Sequence, residues 1–431
     1  MTLKRGFLLD ALATGSVSLV RAGGAASSFA FTVLASSALG PADAGIFFVS
    51  ITWAMALAIF LRWGASDLIL MTFAPLARNW RRKALPAILA RYLHNSLLRL
   101  FGLVLPVMLG LGLLVRLEWM APARLDLVFI FALTLAMVMQ QLLAAAVKAA
   151  GRPVQASLIE FCFITLFAII AYLALRGWVD DAPMRGFETL YLAGALVSVL
   201  LLMAMKGTAI VWTRPFKPAA MGTTLRRSHS LAVIELSGFM ATWAAFLLMP
   251  LFLPAHDVGI YNAALRIASL TQLITISVPS VFIPRLAIAL NEGKWAEARR
   301  LTRSVKWVMA LAGIILFAGV AIFGRWALGL FGAEFTTGYG ALLILTGGMC
   351  GAMAMGPAGA MLNVMGQERH VRNVTILFGV TTIALSVPAM LFYGIIGAAS
   401  ITALSALASK IVLVVLERRF TKVWAESKPS A

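Results

Sequence analysis

Several charged residues lie within long apolar stretches of this sequence, where an ionised side chain is costly, and five of them are candidates for chemistry. They are three arginines and two glutamates: Arg21, Arg62, Arg266, Glu160 and Glu235. Charges inside a membrane usually face a water-filled cavity or an opposite charge. Arginine suits an anion site because its planar guanidinium binds oxyanions through two parallel hydrogen bonds and keeps its proton. These residues therefore predict either an anion-binding cavity or internal salt bridges, such as one between Arg21 and Glu235.

The composition shows what kind of element must carry these charges. Of the 431 residues, 61% are hydrophobic and 12% are charged, whereas soluble domains carry about 25% charged residues. A spanning helix needs about 20 mostly apolar residues, so the apolar residues suffice for about a dozen spans. The apolar runs lack the alternation of a transmembrane β-barrel. We therefore predict an all-α polytopic membrane protein and exclude a soluble enzyme.

The apolar runs predict twelve membrane spans. They lie at 12–39, 43–75, 93–115, 126–148, 154–175, 188–211, 230–253, 258–290, 307–325, 340–363, 373–392 and 395–416. If the N-terminus is cytoplasmic, most of the 36 Lys and Arg residues fall in cytoplasmic segments, as the positive-inside rule requires. We therefore predict that both termini are cytoplasmic. The net charge of +19 is then a topology signal rather than a sign of nucleic-acid binding.

The two halves of the chain repeat each other at one offset. Residues 43–47 (DAGIF) match 257–261 (DVGIY), and Ser16 and Gly24 match Ser230 and Gly238. Such a repeat predicts two parallel six-helix lobes, 1–215 and 216–431, related by an axis along the membrane normal. A cavity between the lobes is the expected place for a substrate.

Short motifs spread over the chain resemble those of one transporter family. They are 39–47 (LGPADAGIF), 61–64 (LRWG), 259–267 (GIYNAALRI), 282–284 (FIP), 330–335 (LFGAEF) and 362–367 (LNVMGQ). Together with the 6+6 repeat, they resemble the polysaccharide-exporter branch of the multidrug/oligosaccharidyl-lipid/polysaccharide exporter superfamily. Members of this branch are flippases of undecaprenyl-diphosphate-linked O-antigen and related glycans. The resemblance implies an alternating-access transporter, not an enzyme, with a cationic central cavity.

The resemblance also implies roles for the charges within the spans. Arg21, Arg62 and Arg266 would contact the diphosphate, while Glu235 and Glu160 would serve as coupling groups or charge partners. The implied setting is the bacterial cytoplasmic (inner) membrane, in the synthesis of lipopolysaccharide O-antigen or another surface polysaccharide. The implied partners are membrane lipid, the lipid-linked oligosaccharide, a polysaccharide polymerase and chain-length proteins. No cofactor is expected, H⁺ or Na⁺ coupling stays open, and no His/Cys/Asp cluster has the spacing of a metal site.

Two other functions stay open. A cation-coupled multidrug or small-molecule exporter of the same superfamily would need acidic groups in its cavity, whereas here the arginines outnumber the acids within the spans. A membrane-embedded glycan polymerase would carry a large external loop with catalytic residues, but the longest outer loop predicted, 176–187, is short.

Overall fold

The structure is a computed structural model that describes residues 2–73, 92–106, 126–205, 221–292 and 294–427. Almost all of these residues are helical, and none of them forms a strand. The chain divides into two compact units, unit 1 (Met1–Leu236) and unit 2 (Ser237–Ala431). The predicted lobe boundary, between 215 and 216, lies outside the described residues.

Unit 1 contains the first seven described helices and most of the eighth. In chain order they are α1 (Thr2–Arg62), α2 (Ala65–Phe73), α3 (92–106), α4 (Leu127–Ala149), α5 (Pro153–Ala174), α6 (Arg176–Asp181), α7 (Pro183–Ala204) and α8 (Met221–Leu248). The start of α4 is capped by Asp126, whose carboxylate accepts hydrogen bonds from the amides of Val128 and Phe129. The boundary between the two units falls within α8.

Unit 2 contains the end of α8 and six further helices. These are α9 (Ala255–Ala268), α10 (Thr271–Asn291), α11 (Trp295–Gly329), α12 (Tyr339–Ala354), α13 (Ala358–Val364) and α14 (Glu368–Ser427). Short 3₁₀ turns lie at Met249–Leu251 and Ala333–Gly338.

Eight helical segments of the described chain are long and apolar enough to cross a membrane. They are Leu19–Arg62, Leu127–Ala149, Pro153–Ala174, Pro183–Ala204, Leu231–Leu251, Arg300–Gly329, Ala333–Val364 and Glu368–Thr421. The first and last are long enough for two crossings, and each turns at a left-handed glycine, Gly40 (φ 73°) or Gly394 (φ 55°). These glycines fall at the predicted boundaries between spans one and two and between spans eleven and twelve. The prediction of an all-α polytopic membrane protein is confirmed.

Within the described residues, three predicted spans contain helix breaks. Span two is interrupted at Trp63 and Gly64, between α1 and α2, and span eight at Ser269 and Leu270, between α9 and α10. Span ten is interrupted at Gly356, between α12 and α13. Broken helices expose backbone groups that need new partners, and within a membrane they occur where protein or water supplies those partners. The breaks are therefore candidate positions for a binding site.

The core of unit 1 holds a cluster of buried aromatic rings. Phe31 of α1 lies edge-on to Phe47 and Phe187, with ring centroids 6.1 and 6.2 Å apart. Tyr172 of α5 stacks on Phe187 at 4.9 Å. These edge-to-face and stacked contacts hold α1, α5 and α7 together. The charged residues on α1 and α5 are therefore held by helices that pack tightly against each other.

Candidate functional site

The break after α1 exposes a backbone carbonyl that side chains of α3 satisfy. Trp63 has φ 46° and Gly64 has φ 72°, so the helix cannot continue through them. The Leu61 carbonyl accepts hydrogen bonds from the Ser96 hydroxyl (3.1 Å) and from a guanidinium nitrogen of Arg99 (3.0 Å). The Arg99 guanidinium also lies 5.7 Å from the Trp63 ring centroid, within cation–π range. Specific contacts from α3 therefore stabilise the helix break in unit 1.

Arg62 stands directly before this break and forms an ion pair with Glu235 of α8. The Arg62 side chain is 10% exposed and the Glu235 side chain is 29% exposed. The neighbouring Trp63 ring lies 5.5 Å from the His229 ring, which is also on α8. The repeat register paired Glu235 with Arg21, but the structure pairs it with Arg62. The arginine at the helix break is therefore neutralised by a carboxylate from α8.

A π-helical turn in α5 forms the second part of the site. This turn, Ile159–Phe163, carries Glu160 and Phe161, and such turns are frequent at functional sites. The Arg21 guanidinium lies 5.4 Å from the Phe161 ring centroid, and the Lys148 ammonium lies 5.5 Å from it. Lys148 also forms an ion pair with Glu160. Two cations from different helices thus meet at one aromatic ring.

Close packing of α1 on the π-helical turn holds Arg21 in this place. A Cβ atom on Gly24 would lie 2.7 Å from the Phe161 Cβ, so only glycine permits this approach. The Ser27 and Thr165 hydroxyls are 2.8 Å apart and hydrogen-bonded. The Cys162 thiol donates to the Val20 carbonyl at 3.3 Å. The position of Arg21 on α1 is therefore fixed by the contacts that Val20, Gly24 and Ser27 make with α5.

The charges of this site differ in how far they are compensated. Glu160 and Glu235 are each held by a cation, Lys148 and Arg62 respectively. Arg21 is exposed, and within the described part of the chain no carboxylate lies within ion-pair distance of it. A guanidinium without a carboxylate partner can bind an oxyanion directly. We call Arg21, Lys148 and Phe161 the cation–aromatic site.

Arg266 belongs to unit 2. It lies in the last turn of α9, just before the break at Ser269, and its guanidinium is 5.0 Å from the Trp243 ring centroid. The cation–π contact with Trp243 orients a charge that the sequence placed within a span. The described residues contain no group of three or more His, Cys, Asp or Glu side chains that could hold a metal ion.

Sequence reasoning missed several residues of this site. Phe161 and the π-helical turn left no signal, because a one-residue insertion in a helix does not change an apolar pattern that is already continuous. Lys148 lies in the last turn of α4, and a lysine at the end of a span commonly extends to the membrane interface, so its position did not point to a site. The Trp63–Gly64 pair directly after Arg62 was the available signal for the helix break.

The chain is similar in sequence to a named flippase over part of its length. That protein, from Haloferax volcanii, is called "Probable low-salt glycan biosynthesis flippase Agl15". The two are 30% identical over 176 residues, which is 40% of this chain and 37% of that protein. The chain therefore aligns with less than half the length of this relative. No family model matches the chain.

Solved structures match nearly the whole chain. An inward-facing multidrug resistance MATE family transporter of the MOP superfamily gives a TM-score of 0.74, with 15% identity, over 96% of this chain and 100% of that one. The lipid II flippase MurJ in an inward closed conformation gives 0.75, with 12% identity, over 93% and 87%. The chain has the fold of the MOP-superfamily transporters. The fold implied by the resemblance in the sequence is thus confirmed, and the proteins with which the chain shares it are transporters and flippases.

Proposed function

We propose that this protein flips an undecaprenyl-diphosphate-linked oligosaccharide across the bacterial cytoplasmic (inner) membrane by alternating access. Both termini would be cytoplasmic, and the six-helix lobes would be 1–215 and 216–431. The product would feed the synthesis of lipopolysaccharide O-antigen or a related surface polysaccharide, with a polymerase and chain-length proteins as partners. The similarity to a glycan-biosynthesis flippase and the shared fold with a lipid II flippase support this proposal.

The observation that carries the proposal is the cation–aromatic site. Arg21 and Lys148 converge on Phe161. Lys148 is paired with Glu160, so among the described residues Arg21 is the cation of this site that has no carboxylate partner. A diphosphate carries the negative charge that would balance Arg21, and its oxygens match the guanidinium fork. Arg62 and Arg266 would add further contacts. For Arg62 the diphosphate would have to replace Glu235, which makes the contact reversible and therefore compatible with release.

The charge pairs also bear on the rival function, a cation-coupled multidrug exporter. That function needs carboxylates able to accept a cation or a cationic drug. Glu160 and Glu235 are already held by Lys148 and Arg62, so they would have to give up these partners first. This arrangement supports an anionic substrate over a cationic one.

The proposal is tested by deleting the gene and measuring accumulated lipid-linked oligosaccharide. We expect accumulation in the deletion strain, reversal by the intact gene, and no reversal by Arg21→Ala. The matched control is Arg152→Gln, an exposed cation at the start of α5, which should restore export fully. If the deletion strain accumulates no lipid-linked glycan but becomes sensitive to cationic drugs, the multidrug alternative replaces this proposal.

A further inference from the structure

One end of unit 2 carries an exposed group of arginines at the edge of two membrane-spanning segments. Arg300 and Arg303 lie near the start of α11, and Arg418 and Arg419 lie near the end of α14; all four are exposed. The candidate spans at these places are Arg300–Gly329 and Glu368–Thr421. The four arginines therefore lie where the helices enter or leave the membrane.

An ion pair and a small apolar cluster join the two helices at this end. The Lys306 ammonium of α11 donates to both carboxylate oxygens of Glu417 of α14, at 3.1 and 3.2 Å. Glu417 is 5% exposed, so its carboxylate is largely withdrawn from water. Leu301 of α11 and Phe420 of α14 pack on the same buried cluster, which includes Leu286 and Met361. The arginines of the two helices are thus presented by one packed structure.

The first turns of α11 divide into a buried face and an exposed face. Ala298 and Val305 are each 3% exposed and face the interior of unit 2. Arg300, Arg303 and Trp307 lie on the other face, at the spacing of successive helical turns, and Trp307 is 71% exposed. A stripe of arginines followed by an exposed tryptophan is the pattern of a helix at the boundary between lipid headgroups and acyl chains.

The described acids around this stripe leave its positive charge largely uncompensated. The Glu417 carboxylate is occupied by Lys306, and the Glu292 carboxylate lies 2.7 Å from the Lys294 ammonium. The hydrogen bond that the Lys294 ammonium donates to Glu292, together with the Glu292 charge, raises the pKa of Lys294, so that Lys294 stays cationic. Glu297 and Glu368 are exposed. The four exposed arginines therefore remain available to an anion from outside the chain.

We propose that this surface, defined as Arg300, Arg303, Trp307, Arg418 and Arg419, binds the headgroup of an anionic phospholipid in the adjoining leaflet. The headgroup phosphates would lie against the arginines, and the Trp307 ring would lie beside the start of the acyl chains. The occupant is a lipid rather than free phosphate because the surface lies at the membrane edge and continues into apolar helix. This inference does not depend on the proposed function.

The test uses the purified full chain in detergent, titrated with cardiolipin or phosphatidylglycerol and followed by native mass spectrometry and thermal unfolding. We expect bound anionic lipid and a raised Tm, with phosphatidylcholine and inorganic phosphate giving neither. The variant Arg300→Gln/Arg303→Gln should bind anionic lipid about 25-fold more weakly, since each arginine near an anionic surface contributes about fivefold. The control is Arg325→Gln, an exposed arginine near the other end of α11, which should bind as the unaltered protein does.

A second variant keeps the test decisive if the double glutamine variant unfolds. Arg300→Lys/Arg303→Lys retains the charge, so it should keep most of the lipid affinity, and that affinity should fall as NaCl is raised. Equal binding of phosphatidylcholine and phosphatidylglycerol by the intact protein would overturn the proposal. So would undiminished lipid binding by the glutamine variant, or lipid binding by the lysine variant that does not fall as NaCl is raised.

Discussion

Arg62 and Glu235 form an ion pair although 173 positions separate them in the chain. The pair joins the residue that precedes the break between α1 and α2 to the middle of α8. It neutralises the arginine that the sequence had marked as a substrate contact. The pair therefore has either a purely structural role or a role in which the substrate takes over the partner of Arg62.

A charge swap separates these two roles. Arg62→Ala leaves a partly buried carboxylate without its partner, and we expect a loss of about 1–3 kcal/mol in the free energy of unfolding. The swap Arg62→Glu/Glu235→Arg restores an ion pair and should recover most of the Tm. If Arg62 binds the diphosphate, the swap should still fail to export lipid-linked oligosaccharide. Full export by the swapped protein would show that Arg62 serves only as the partner of Glu235.

Arg21 offers a test of the cation–aromatic site. Arg21→Ala should lower export more than about tenfold, because hydrogen bonds to a charged group contribute about 1.5–3 kcal/mol each. Arg21→Lys keeps the charge and loses the bidentate fork, so we expect partial export. The measurement is lipid-linked oligosaccharide in a complemented deletion strain, with membrane protein levels checked by immunoblot. Normal export by Arg21→Ala would remove this residue from the site.

Because α1 lies close to α5, we expect alanine substitutions at the adjacent Gly23 and Gly24 to differ in their effect on stability. Gly24→Ala places a Cβ 2.7 Å from the Phe161 Cβ and 2.9 Å from the Phe161 carbonyl oxygen. The backbone must shift, and we expect a loss of about 1–3 kcal/mol. Gly23→Ala is the matched control, because no heavy atom lies within 4 Å of its added Cβ. Thermal unfolding in detergent should show a lower Tm for Gly24→Ala alone.

Glu188 provides a prediction about a buried acid in unit 1. It is 6% exposed, one of its carboxylate oxygens has no hydrogen-bond partner, and among the described residues no cation lies within ion-pair distance. An ionised carboxylate is costly in such a place. Glu188→Gln removes the charge at constant shape and should leave the Tm unchanged or raise it. The exposed Glu297 is the comparison, and Glu297→Gln should leave the Tm unchanged. A clear loss of Tm in Glu188→Gln would show that the carboxylate has a stabilising partner.

The fold class was predictable because a membrane protein must contain many apolar residues, and this requirement is visible in the amino-acid composition. Every spanning helix needs a long apolar run, and the turns at Gly40 and Gly394 fell where the sequence placed span boundaries. The breaks at Trp63 and Ser269 were not predicted. An apolar run reports that a segment lies in the membrane, but it does not report whether the helix continues through it.

The charge partners were less predictable than the helices. The repeat placed Arg21 and Glu235 at equivalent positions along their helices, and equivalent depth suggested a pair. Depth does not fix which way a side chain points around its helix. The π-helical turn in α5 and the break after Arg62 leave no trace in hydropathy. Glu235 contacts Arg62 and Arg21 contacts Phe161, although equal depth suggested a pair between Arg21 and Glu235.

Because side chains of α3 hold the Leu61 carbonyl, mutations in α3 would affect the neighbouring Arg62 without being in direct contact with it. The course of the chain through residues 61–64 is held by side chains of another helix rather than by a continuous ladder of backbone hydrogen bonds. Ser96 and Arg99 therefore help to orient the Arg62 side chain through their hydrogen bonds to the Leu61 carbonyl, although neither needs to contact a substrate. Natural sequence variation at these two positions would be a means of retuning the site without altering any residue that lines it.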